Sequence, residues 1–331
     1  AHFYDMDEVK EQGLTLVARK ACFGLPTACP SCLPVYIFLR FSQIRFNLSF
    51  SLTYPDSDQL PYVESGVYVA YNNEKGGVIE SLKEDGILDL DSGLHAIPEW
   101  LSMKAMVTSW LADALLYELW LGSDGNSANM IYYSDLPWPI GKVLFLKEIY
   151  VVKQLLGITK ENVERREELI YKRAANAYGA LSTSLGERQF FFENRPTSLD
   201  ALFLGHALLI LQALPEASVL RSKFLEHSNL VKYAEELKTR FVDAASSSAV
   251  PFPHSESSAS MPKSRASNWG SKPKNKPKRE KTEEEKKFRR RAKYFLATQL
   301  VAVLVFLSLF GGSGDTDVEL DDDPDGYDYS N

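Results

Sequence analysis

Residues 190–201 read Phe-Phe-Phe-Glu-Asn-Arg-Pro-Thr-Ser-Leu-Asp-Ala. Thr197 and Asp200 stand three positions apart, the spacing of a helix capping box: the threonine hydroxyl meets the amide of residue 200, and the carboxylate reaches back to the amide of Thr197. The carboxylate also lies at the positive end of the helix dipole. Behind the box, residues 199–214 are apolar almost all round, interrupted by Asp200, His206 and Gln212. Such a helix is too short to span a bilayer and belongs at the centre of a bundle. A box placed there orients the core, and losing either residue is expected to cost about 1 kcal/mol or more.

Helical periodicity extends upstream. Met103, Met106, Val107, Trp110, Leu111, Ala114 and Leu115 recur at i, i+3, i+4, i+7 spacing, and Ile170, Ala174, Ala177, Tyr178, Leu181 and Leu185 repeat the pattern. Before residue 91 the period changes. Residues 14–17 suit a buried strand and 33–41 a helix. Residues 45–53 alternate, with Phe46, Leu48, Phe50 and Leu52 on one face. Residues 62–71 read as one strand, and a turn at 72–77 leads to a short strand at Val78–Ile79 and a helix near Ser81. The expected order is β-α-β-β-β-α. The chain thus divides into an arm (1–13), an α/β subdomain (14–90) and an all-α subdomain (91–243). With 45% hydrophobic and 12% aromatic residues, material for both cores is ample.

The net charge of −7 conceals a partition. Residues 272–293 hold twelve Lys or Arg against four Glu, whereas residues 311–331 hold eight acidic residues and no basic one. These segments cancel, so the −7 belongs to residues 1–271, and a mildly acidic globular part argues against nucleic acid as its partner. Three clustered cysteines, Cys22, Cys29 and Cys32, do not make a secreted disulfide framework, and no apolar signal-like run opens the sequence, so a reducing, cytosol-facing setting is expected.

Residues 294–310 carry no charge over 17 positions, enough helix for roughly 25 Å of bilayer. Arg289, Arg290, Arg291 and Lys293 precede them and Gly-Gly-Ser-Gly-Asp follows. The reading is a transmembrane tail anchor, with residues 1–293 cytosolic and the acidic tail (311–331) across the membrane. Its short length and basic flank suit a thin bilayer, the mitochondrial outer membrane first and the endoplasmic reticulum second. Residues 244–281, rich in Ser, Pro and Lys, read as a disordered tether, and 282–293 as a basic juxtamembrane segment. Lysines here set topology and attract anionic headgroups rather than nucleic acid.

An α/β unit followed by helices, with a Thr-x-x-Asp box opening a buried helix, resembles the glutathione transferase fold: a thioredoxin-like subdomain plus an all-α subdomain. Phe-Gly-Leu-Pro-Thr (23–27), Leu-Pro (60–61), Tyr-Tyr-Ser-Asp-Leu-Pro-Trp-Pro (132–139) and residues 190–201 resemble the metaxins, plant-type, over roughly residues 14–242. The resemblance implies a non-enzymatic protein of the mitochondrial outer membrane, bulk cytosolic and acidic C-terminus in the intermembrane space. It implies a role in protein import and β-barrel sorting and assembly, and no cofactor. Its implied partners are import and assembly subunits, mitochondrial precursor proteins and another metaxin-like or transferase-like subunit. By analogy with thioredoxin-like folds, the bond before Pro61 is expected to be cis.

Chemistry offers two rival sites. Cys29-Pro-Ser-Cys32 has dithiol spacing after a strand and before an apolar helix, whose dipole would lower a thiol pKa. Glu80 and Ser81 resemble the transferase pair that holds the γ-glutamyl end of glutathione, with Cys22 as the nucleophile candidate nearest the first strand. The alternative function is therefore a membrane-anchored glutathione transferase or thiol oxidoreductase using Cys22, or Cys29 with Cys32. The histidines His2, His95, His206, His227 and His254 show no metal-ligand spacing, and His206 reads as a satisfied core residue.

Overall fold

The computed structural model describes residues 13–51, 58–192 and 194–243, together with Gln299. Apart from that glutamine, the expected tether, basic flank, anchor and acidic tail lie outside the described residues, and so does Leu52. Among the described residues no helix is long and apolar enough to cross a membrane.

Four strands form one sheet in the order β2-β1-β3-β4. Strand β1 (Leu14–Ala18) is parallel to β2 (Phe46–Phe50) and antiparallel to β3 (Tyr62–Ser65), which pairs with β4 (Tyr68–Tyr71). The parallel pair requires a crossover, and helix α1 (Cys32–Phe41) supplies it. The single strand expected over 62–71 is a hairpin. Gly66, at φ 57, makes the tight turn that continuous alternation conceals. The expected strand at Val78–Ile79 is also corrected: both residues open helix α2 (Val78–Glu84). β2 is an edge strand, and Phe50 is 42% exposed instead of buried.

The helical part follows. A helix over 98–122 (α3) widens by one residue per turn at Val107–Leu111 and Glu118–Gly122. Then come α4 (Asn126–Tyr132), α5 (Ile140–Leu155), α6 (Val163–Leu185), α7 (Ser198–Ala213), α8 (Val219–Leu225) and α9 (Ser228–Leu237). The α6 stripe named above is buried at every position, whereas on α3 Met103, Met106 and Trp110 are half-buried.

Helices α1 and α7 are the centre. α1 reaches β2 through the Tyr36–Phe46 edge contact, 5.5 Å between centroids. On its other side Pro34 lies against Gly205 of α7, so closely that a Cβ on Gly205 would come within 2.8 Å of the proline ring. Gly205→Val is therefore expected to destabilise by about 3 kcal/mol and Gly205→Ala by less, read from urea midpoints.

The box at the head of α7 forms as a ring of bonds. Asp200 accepts from the amide and hydroxyl of Thr197 at 2.8 and 2.7 Å, from the Phe191 amide at 3.0 Å and from the Tyr233 hydroxyl at 2.6 Å. A second carboxylate meets the same helix end from the connector after the sheet. Asp91 accepts from the Ser198 amide at 2.8 Å and from its hydroxyl at 2.6 Å, and pairs with Lys83 at 2.8 Å. Arg195 donates to the carbonyls of Leu90 and Ser92 at 3.0 and 2.8 Å. The 190–201 motif thus stitches the helical part to the connector.

His206, on the buried α7, accepts from the Tyr178 hydroxyl at Nε2, 2.7 Å away. Burial pushes Tyr178 up, so the phenol keeps its proton and donates. Burial also pushes His206 down, from 6.5 to about 3. The unfolded chain then binds a proton that the folded one refuses. This contribution to stability is present above pH 6.5 and is lost as pH falls toward 3. Between pH 7 and pH 5 it is expected to remove about 2 kcal/mol, a slope that His206→Leu abolishes in urea titrations at the two pH values.

Candidate functional site

Where β1 ends, the chain turns through a bridge between Cys22 and Leu25, with Leu25 N donating to Cys22 O at 2.9 Å. Phe23 adopts φ 54 there. Cys29 then precedes α1, its carbonyl accepting the amides of Cys32 and Leu33 at 3.1 and 3.0 Å, and Cys32 is the first residue of the helix. The dithiol thus sits at a helix start, as its position after the strand suggested. Both thiols are free and 0% exposed, while Cys22 is half-buried.

A partner the sequence did not offer completes the cluster. Arg19 Nη1 donates to Cys29 Sγ at 3.1 Å, and its guanidinium lies 4.8 Å from the centroid of the Tyr132 ring. The Tyr132 hydroxyl is 3.9 Å from the same sulfur. Burial pushes the Cys29 thiol up, but hydrogen bonding from Cys32 and the Arg19 charge outweigh it and hold Cys29 well below the usual thiol range. Burial, and then the neighbouring Cys29, push Cys32 well above it. Next to them, Lys20 pairs with Asp135 at 2.6 Å and also donates to the Ser134 hydroxyl. Arg19 and Cys29 are ten apart and Tyr132 a hundred further on, so no local pattern could have joined them.

Arg19, the buried Cys29 sulfur and Tyr132 thus bind the end of β1, the start of α1 and the end of α4. A lowered thiol pKa favours nucleophilic chemistry, whereas burial keeps the Cys29 sulfur away from solvent. A thiol-specific dinitrobenzoate reagent is expected to titrate Cys22 fast, and Cys29 and Cys32 only at the rate of opening. Arg19→Met should raise the pH at which thiolate absorbance near 240 nm develops; an unmoved titration would dismiss the pair.

The second rival site is taken up within the protein. Glu80 pairs with Lys83 at 2.9 Å and with Lys104. Burial pushes its carboxyl up, and the bonds from Lys104 and Lys83 outweigh that and hold it down. Ser81 was expected beside a helix start. It lies a turn inside α2, whose N-cap is Gly77, and donates to the Gly77 carbonyl at 3.1 Å. Lys83 continues from Glu80 to Asp91, and both Lys83 and Lys104 approach the buried Trp100 ring. Leu60–Pro61 is cis, and so is Trp138–Pro139. Among the described residues no group of His, Cys, Asp or Glu could hold a metal ion.

Models of the glutathione S-transferase N-terminal and C-terminal domains match residues 30–125 and 174–237. The solved structure of glutathione S-transferase III in apo form aligns at a TM-score of 0.43 and 12% identity, covering 73% of this chain and 98% of that one. The two domain models, with the thioredoxin-like sheet followed by helices, define the glutathione-transferase fold. The Arabidopsis thaliana protein "Mitochondrial outer membrane import complex protein METAXIN" is 59% identical over 311 residues, 94% of this chain and 97% of that protein. Metaxin-2 of Homo sapiens is 27% identical over 195 residues, 56% of this chain and 71% of that protein. The chain belongs to the metaxin family.

Proposed function

We propose that this chain is a non-enzymatic component of protein import at the mitochondrial outer membrane, acting in β-barrel sorting and assembly. The carrying observation is its 59% identity, over 94% of its length, to a protein named for an outer-membrane import complex. Engagement of Glu80 and Ser81 by the protein's own groups, and full burial of Cys29 and Cys32, support recognition over catalysis. In this reading the body, residues 14–243, faces the cytosol and binds import subunits, precursors or a second metaxin-like chain. Residues 244–281 tether it, Arg289, Arg290, Arg291 and Lys293 hold the cytosolic side, 294–310 anchor it, and 311–331 enter the intermembrane space. The tether raises the local concentration of the body at the membrane.

Carbonate-washed mitochondria should retain the full-length chain, and affinity purification after mild solubilisation should recover import or assembly subunits. Retention with no such subunit recovered would remove the import role. Glutathione conjugation or disulfide exchange abolished by Cys22→Ser, or by Cys29→Ser and Cys32→Ser, would instead establish the enzymatic reading.

A further inference from the structure

A surface helix ordinarily turns its apolar side inward and leaves the outer side polar. Helix α5 is apolar on both. Its inner side packs through Gly141, Phe145 and Val152, with Phe145 5.6 Å from the Trp120 ring centroid. On the outer side Val143 and Leu146 are 54% exposed and Tyr150 65%. Ile140 at the N-terminal end is 54% exposed, Leu155 stands exposed at the other, and Trp138, just before the helix, is 84% exposed. At 3.6 residues per turn, Val143, Leu146 and Tyr150 lie within about 60° of one another. On the same wheel Lys142 and Lys153 border one side of that stripe and Lys147 the other, against a single helix acid, Glu148. The three lysines are exposed, and the Lys142 ammonium lies 5.4 Å from the centroid of the Phe145 ring, whereas Lys153 stands clear of it.

We infer that this face of α5 lies in the headgroup region of an anionic lipid bilayer. An apolar stripe with Trp and Tyr, bordered by lysines whose stems can lie along it while their ammonium groups reach phosphate, matches a helix lying in a membrane interface. Protein interfaces are depleted of lysine. A second copy meeting this face two-fold would also bring lysine against lysine. The inference rests on the reading that this chain works at a membrane. It adds that the folded body touches the lipid, whereas an anchor alone leaves the body free to stand off.

The test uses the full-length chain reconstituted into vesicles of phosphatidylcholine with roughly a quarter phosphatidylserine, with or without brominated acyl chains. Subtracting Trp138→Phe isolates the Trp138 fluorescence. That component should fall roughly twofold in brominated vesicles, as expected for a ring at the headgroup–acyl boundary. Removing phosphatidylserine, or Lys153→Glu, should lower the ratio of docked to undocked bodies, roughly fivefold per charge. Val143→Glu with Leu146→Glu should abolish quenching while circular dichroism stays unchanged. A chain that floats with the vesicles yet shows no Trp138 quenching overturns the inference and leaves the anchor reading intact. A chain that does not float overturns both. If quenching is absent and the Val143→Glu, Leu146→Glu chain loses subunits recovered from solubilised mitochondria, the face belongs to a protein partner instead.

Discussion

Asp200→Ala is expected to lower the unfolding free energy by about 4 kcal/mol, the largest effect of any single polar substitution proposed for this chain. Its carboxylate accepts four hydrogen bonds at 2.6–3.0 Å, and alanine leaves the Phe191 and Thr197 amides and the Thr197 and Tyr233 hydroxyls without that acceptor where water does not reach. Each orphaned donor costs about 1–3 kcal/mol, less than additively. Loss of the cap at the first turn of α7 contributes about 1 kcal/mol within that figure. Asp200→Asn keeps one acceptor oxygen and should lose roughly half as much. Burial, the largest influence, pushes the Asp200 carboxyl up against its four bonds. The cost of ionising it inside the fold is therefore absent below the ordinary carboxylate range and grows as pH rises through the raised value, offsetting part of what the four bonds contribute at neutral pH. Urea unfolding of the three chains at neutral pH decides the matter. A loss under 1 kcal/mol for alanine would mean that the ring of bonds is not what holds the head of α7.

Asp91→Ala comes next, at about 3–4 kcal/mol. It strips a nearly buried ammonium, Lys83, of one of its two carboxylates and orphans both the amide and the hydroxyl of Ser198. Burial pushes the Asp91 carboxyl up, but Lys83 and Ser198 outweigh it and hold it below the usual range. This contribution is complete above the ordinary carboxylate pKa and disappears as pH falls through the depressed one. Lys83→Met in the Asp91→Ala background should restore part of the loss, since the half-paired ammonium is then gone and Glu80 keeps Lys104. A strictly additive pair of substitutions would show that the two groups do not interact.

The head of α7 was legible because a capping box is local: three residues of spacing specify it, and the apolar run behind it has no other use. The α6 stripe was legible for the same reason, since one face is buried at every position. The sheet was read less well. Two strands of four residues around Gly66 look like one continuous alternation. The Val78–Ile79 pair reads as β-branched strand because the helix they open starts at Gly77, with φ 105 and no capping side chain to announce it. The dithiol's spacing and place before α1 were visible, but Arg19 and Tyr132 reach it only through tertiary packing. Lys83 and Asp91, eight apart with α2 ending between them, gave no periodic signal. The α5 face escaped because residues apolar on both sides of a helix do not say which side is inside.

Arg195 and Ser198 reach back to carbonyls and a carboxylate of residues 90–92, and Asp91 pairs in turn with Lys83 of α2, so the head of α7 is tied through the connector to the α/β half. The halves are consequently not interchangeable parts. A chimera that grafted a foreign helical half onto this sheet would need its own arginine and serine at those places, or the joint would fray. Cleavage in the connector would leave neither fragment with a finished edge. What two family models match as separate pieces should melt as a single cooperative body.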